Sequence, residues 1–261
     1  VVYIGEAHTL ARHHREQARI ARALIDRGKS IVLALEQMES FNQGTLDRYN
    51  AGALSFDELA AQTRWAERWS NYLDYREIVE TVHAAGGGVL ALNARSELVR
   101  EVARKGRGGI EGASKQELPE PFKTGARYEK YVKGLLMQHR FVNDRTLQSV
   151  FEAQAVRDDA MARALIGALS GAGAHEKIVL VVAGSVHVAY GLGIPSRVRS
   201  ALPGITERIL VLAQGGEVEL TEPEKNITRE IDLGHESARF LSLPIADYLM
   251  VTEPVQGTGQ R

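Results

Sequence analysis

Two distant apolar runs in the chain end alike: VVYIGEAH at residues 1–8 and IVLVVAGSVH at 178–187 each close on Gly-x-x-His. They bring Glu6, His8 and His187 to the ends of strand-like segments, and a third run, IVLALE, ends on Glu36. Carboxylates and imidazoles gathered in this way serve two chemistries. They hold a divalent ion that keeps an open position for water, or they supply a general base with its orienting partners. His14 and Gln17 lie in the early turns of the helical segment after His8 and point toward the same rim. Any one histidine at a strand end is better read as a helix cap or a partner for a buried carbonyl. Six polar residues on one rim are harder to explain that way, because each unsatisfied buried polar group costs about 1–3 kcal/mol. Arg95 and Asp158 read instead as an ion pair tying a helix to the sheet.

Other constellations are missing from the sequence. There is no HExxH, Gly-x-Ser-x-Gly elbow, Walker loop or dinucleotide fingerprint. Ser185 stands between a strand and His187, but its flanks are not those of a hydrolase elbow. His13 and His14 are helix neighbours about 100° apart and are poorly placed to share one ion.

Reactive residues at strand ends need a scaffold that aligns those ends. VVYIG, IVLALE, GVLALN, KIVLVVAG and ERILVLA are short β-rich runs separated by segments of helical period, the pattern of a parallel sheet flanked by helices. The expectation is one α/β domain over residues 1–261. It has a mostly parallel central sheet, helices on both faces, and an extra helical subregion made by insertions at about 40–85 and 105–145. Strands are expected at about 1–5, 31–35, 88–92 and 178–183, mutually parallel. In such sheets ligands bind outside the carboxyl ends of the strands, where Glu6, His8, Glu36, Asn93 and His187 fall. Helices are expected over about 9–26, 127–139 and 143–170. The glycines at 86–88 precede a strand and so form a turn, not a phosphate cradle. Residues 105–124 read as a surface excursion of lid type, and the tail after Val251 as frayed.

Composition narrows the partners. Thirty-two Lys and Arg against 33 Asp and Glu leave a net charge of -1, which gives no global attraction for nucleic acid or an anionic membrane. No apolar run approaches the roughly 20 residues of a membrane span. The absence of cysteine excludes disulfides and thiolate ligation but does not fix the compartment.

Taken in order, GEAH, HHREQ, ALEQM with Gln43 and YNAG, ALNAR, FEAQAVRDDAMA and AGSVHVAYGLGIPSR resemble the ChaN-type haem-binding proteins. That superfamily includes Tiki, TraB and the erythromycin esterases. The resemblance runs from Val1 to about Arg199 and departs at Arg157, where such proteins often carry Trp before the Asp. It implies a homodimeric bacterial protein of iron or haem uptake, held in the cell envelope or periplasm, with a lipid anchor on residues preceding Val1. Relatives are implied to put the twin Gly-x-x-His motif to hydrolytic use. A haem transport protein is suited by a phenolate ligand on ferric iron. Tyr190 is the first candidate, with Tyr75, Tyr128 and Tyr131 as the others, and His187, His8, His14 and Gln17 around the haem. In the alternative reading, Glu6, His8, Glu36 and His187 form a catalytic or divalent-metal set.

Overall fold

The computed structural model describes residues 1–137, 143–171, 173, 176–214 and 236–252. Strands β1 (Val2–Glu6), β2 (Ser30–Glu39), β3 (Gly88–Asn93), β4 (Lys177–Gly184), β5 (Arg208–Gln214) and β6 (Tyr248–Thr252) form one sheet in the order β3-β2-β4-β1-β5-β6. Every pairing is parallel. Five of the strands match the apolar runs. The sixth, YLMVT, was not anticipated: it is a five-residue edge strand with Tyr248 and Val251 exposed, too short and too mixed to show a period. Beyond it, the tail at 253–261 lies outside the described residues, as do 138–142 in the expected helical insertion.

The sheet order fixes which helices cover which face. From β1 the chain steps toward the β3 edge twice, then reverses and steps toward the β6 edge. Because parallel crossovers are right-handed, reversal moves the connecting helices to the opposite face. Accordingly α1 (Ala11–Ile25), α2 (Gln43–Asn50), α3 (Phe56–Thr63), α4 (Trp65–Arg68) and α5 (Arg76–Ala84) cover one side. Their core joins Ala18, Ala21, Leu59, Trp65 and Ile78 to the β residues Ile4, Leu33, Leu35, Leu180 and Val182. On the other side lie α6 (Ser96–Lys105), α7 (Gly112–Glu117), α8 (Ala126–Met137), α9 (Asp144–Leu169), α10 (Ser185–Val188) and α11 (Ile194–Ala201). There Tyr128, Val132, Met161, Leu165 and Val198 meet Tyr3, Ala34, Val179, Val181 and Ala183. The alternation along β4 is the two-residue period of a strand buried on both faces. Among the described residues no helix is long and apolar enough to cross a membrane.

The edge at β3 is sealed by side chains. Asn50 donates to Val89 O at 3.0 Å and accepts from Val89 N at 2.8 Å, while Gln43 accepts from Ala91 N at 2.8 Å. Two amides on α2 thus act as a short surrogate strand on an edge that would otherwise be open to pairing. Gly86 lies at positive φ in the turn before β3, as the GGG run suggests. Residues 105–124 contain α7 and are tied to α9: Arg107 N donates to Glu152 at 2.6 Å, and Arg163 donates to Glu120 O at 2.7 Å.

Candidate functional site

Strands β1 and β4 are neighbours, yet the chain leaves them for opposite faces, since β1 leads to α1 and β4 to α10 and α11. Diverging loops open a crevice between adjacent carboxyl ends, the usual place for a ligand in an open α/β sheet. The two Gly-x-x-His turns border it, and their glycines are reciprocal. A Cβ on Gly5 would lie 2.8 Å from Val188 Cγ2 and 3.1 Å from Ser185 Cα, in the second turn. A Cβ on Gly184 would lie 2.8 Å from His8 Nε2, in the first. Each motif needs glycine so that the other can approach.

Glu6 ends β1 inside the protein and is saturated. His8 Nδ1 lies 2.7 Å from Oε1, Gln37 donates to Oε1 at 2.9 Å, and Tyr75 O–H and Gln17 Nε2 also donate. His14 Nδ1 stands 3.2 Å from Oε2. These donors use the roughly four lone-pair sites of a carboxylate. Burial would raise the Glu6 pKa, but the hydrogen bonds from His14 and His8 outweigh it and hold the carboxyl down at about 2. Glu6 is therefore a fixed anion that orients His8, with no oxygen left over for a metal or a substrate proton.

Glu36 owes its position to an irregularity. Between Leu35 and Glu39 the register of β2 slips against β3, and in that stretch Glu36 and Gln37 are both buried. Glu36 Oε2 accepts from Gly184 N at 2.7 Å, and Oε1 lies 3.2 Å from His187 Nε2, 3.7 Å from Arg157 Nη1 and 3.8 Å from His8 Nε2. Asn93 steadies it by donating to Glu36 O at 3.0 Å. His187 spends its other nitrogen, Nδ1, on Asp158. Burial alone would lower its pKa, but the charges of Glu36 and Asp158 raise it to about 10. His8 and His14 are also shifted upward: desolvation opposes the charge, and the hydrogen bond each imidazole makes to Glu6, with the charge of Glu6, overcomes it. The centre is a set of ion pairs. Among the described residues, no three His, Asp or Glu side chains are arranged to hold a metal ion.

The expected convergence of Glu6, His8, Glu36, His187, His14 and Gln17 is present, but the expected Arg95–Asp158 pair is not. Arg95 binds Glu117 at 2.9 Å on the surface. Asp158 instead belongs to the site, accepting from Tyr128 O–H at 2.6 Å and standing 3.7 Å from Arg197 Nη1. Gln37, Gln154, Asp159 and Arg197 were not anticipated, and Arg157 stood out only as a departure from the resemblance. Gln154 Nε2 lies 3.1 Å from His187 Nδ1, and Arg197 Nε donates to Asp159 at 2.7 Å. Gln154 and Asp158 had a visible signal, since both interrupt the apolar stripe of α9. Arg197, four residues beyond Gly193, had only its place at the end of the run AGSVHVAYGLGIPSR.

The four tyrosines fall into two pairs. Tyr75 and Tyr128 give their O–H groups to Glu6 and Asp158 and lie fully inside the core. Burial, reinforced by those carboxylates, drives both phenols far above the ordinary range. Tyr131 lines a crevice of about 400 Å³ together with Glu6, His8, Val186, Ala189 and Ile245. Tyr190 packs edge-on against it with ring centroids 5.2 Å apart, and its backbone is left-handed at φ 57°. Apolar walls beside a phenol and an imidazole suit a largely apolar ligand held by a few polar groups.

Residues 1–198 match the family described as haem-binding uptake, Tiki superfamily, ChaN. Among solved structures, the chain resembles that of cofacial haem binding to ChaN of Campylobacter jejuni, with 21% identity over 84% of this chain and 82% of that one and a TM-score of 0.65. At that identity the likeness is one of fold. A mutant erythromycin esterase, EreC, in its open conformation gives 12% identity over 86% of this chain and 73% of that one, with a TM-score of 0.49. No curated protein matches the sequence.

Proposed function

We propose that ferric haem is the ligand of this crevice, because the chain belongs to the ChaN haem-binding uptake family of the Tiki superfamily. The family match carries the reading. The apolar wall of Val186, Ala189, Val211, Leu212, Ala213 and Ile245 supports it, as does Tyr131 on the same crevice. A phenolate is a suitable ligand for ferric iron, and binding to the metal would offset the burial that raises the Tyr131 pKa. Tyr131 and Tyr190 are the proposed ligands. Tyr75 and Tyr128 are set aside because a phenolate in either place would face a carboxylate. The wider proposal is a bacterial haem-uptake protein of the cell envelope, lipid-anchored or periplasmic, with a second copy covering the bound haem. Titration with ferric haem should give a saturable Soret change with charge-transfer bands of phenolate ligation, lost in Tyr131→Phe or Tyr190→Phe. Binding no better than to an unrelated carrier protein would sink the proposal. Sedimentation with and without haem tests the dimer.

One observation favours a second reading. His8 is 35% exposed and is oriented by Glu6 as a general base would be. Its Nε2 would take a proton from water attacking an ester or amide, with Glu6 stabilising the imidazolium. Hydrolysis that is abolished in both His8→Gln and Glu6→Gln would support it. The same rate in wild type and variants would end it.

A further inference from the structure

The inner members of the ion-pair centre are closed to solvent, but two basic side chains at its edge are not. The side chains of His8 and Arg157 are 35% and 28% exposed, against 4% or less for Glu6, Glu36, Asp158, His14 and His187. Both converge on Glu36 Oε1, His8 Nε2 at 3.8 Å and Arg157 Nη1 at 3.7 Å. Neither distance is a hydrogen bond. Glu36 already accepts from Gly184 N and faces His187 at hydrogen-bond range, so Arg157 is not needed to satisfy it. Among the described residues Arg157 donates no hydrogen bond, which leaves its fork of N–H groups available. Glu36 is thus faced by three basic side chains, His187, Arg157 and His8, of which His187 alone is closed to solvent.

We infer that Arg157 and His8 form a carboxylate-binding subsite at the mouth of the crevice, over Glu36. Guanidinium and carboxylate match as two parallel hydrogen bonds, and an imidazole N–H beside them can supply a third. Two sources share this chemistry: a propionate of haem and a free small carboxylate. Only the first rests on the haem reading. A residue of this chain that departs from the resemblance thus has a role as a determinant of which ligands are accepted.

The test uses the full chain as wild type, Arg157→Gln and Arg157→Lys, each checked for an unchanged unfolding midpoint. Each is titrated with ferric haem, with its dimethyl ester in which both propionates are blocked, and with benzoate while the His8 imidazole resonance is followed. Loss of one charge-assisted pair should weaken haem by about 10- to 100-fold in Arg157→Gln. Affinity for the dimethyl ester should be the same in wild type and variant, and Arg157→Lys should recover part of the loss. Equal weakening of haem and ester would overturn the subsite, since that pattern reports packing and not carboxylate recognition. Unchanged affinity for both, with no benzoate shift at His8, would overturn it too. If wild type binds neither haem nor ester, the haem reading fails and the benzoate titration decides. A His8 shift lost in Arg157→Gln would then support a free-carboxylate site, and no shift would overturn it.

Discussion

At the scale of the residue, the molecule solves one problem: keeping carboxylates and imidazoles charged away from water. A buried ion is tolerated only when its partners are close and its remaining hydrogen-bonding positions are filled. Glu6 accepts from four donors with the His14 imidazole beside it, and His187 has a carboxylate at each nitrogen. These pairs predict how stability depends on pH. The His187 pKa rises on folding from 6.5 to about 10, so its contribution is fully present below pH 6.5 and is lost as pH rises through about 10. The Glu6 pKa falls from 4.5 to about 2, so its contribution is present above pH 4.5 and is lost as pH falls through about 2. Denaturant unfolding across pH should therefore decline on both flanks of a plateau. Asp158→Asn should lower the His187 titration midpoint, read by imidazole resonances, and flatten the alkaline flank alone. An unmoved midpoint would show that Asp158 does not hold the proton on His187.

At the scale of the element, two features connect local sequence to the site. The first is the mutual accommodation of the Gly-x-x-His turns, possible because β1 and β4 pair with Glu6 opposite Gly184. Gly184→Ala should push the His8 ring away from Glu36 and cost about 1–3 kcal/mol by overpacking, whereas Gly28→Ala, where nothing lies within 4 Å, carries only its positive φ. A His8 titration unchanged by Gly184→Ala would refute the contact. The second feature is the sealed edge of β3. The double variant Gln43→Ala with Asn50→Ala leaves the amide groups of Val89 and Ala91 without their partners. It should lose about 1–3 kcal/mol in denaturant unfolding and aggregate faster by light scattering. Equal stability and equal scattering would mean that water replaces the amides at no cost.

At the scale of the whole molecule, both helical layers share one sheet whose residues alternate between the two cores. Neither layer keeps its apolar face covered if the other separates from the sheet, so unfolding should be one event. Near-ultraviolet and far-ultraviolet dichroism should give coincident thermal transitions, with the helical insertions at about 40–85 and 105–145 melting with the sheet. Two separated transitions would divide the chain into independent domains. The same layering explains the crevice. Reversal of the chain between β3 and β4 sends the connections after β1 and β4 to opposite faces, and the gap between them falls where His8 and His187 stand.

Much of this was readable along the chain. Period and β-branched runs determined five strands, the parallel α/β class and the long helices, because each depends on contacts between near neighbours or on burial of a whole segment. Strand ends also identified Glu6, His8, Glu36 and His187 together, since parallel strands must present their carboxyl ends on one side. Pairing was another matter. Arg95 and Asp158 look complementary in the sequence, yet Arg95 meets Glu117 and Asp158 meets His187, because partners across a fold depend on which face of a helix packs where. The partners of Arg157 and Arg197, and the separation of Tyr75 and Tyr128 from Tyr131 and Tyr190, arise the same way. Residue type and spacing determine what chemistry a side chain can do. Only the packing of α9 against the sheet decides which carboxylate it faces and whether it still reaches solvent.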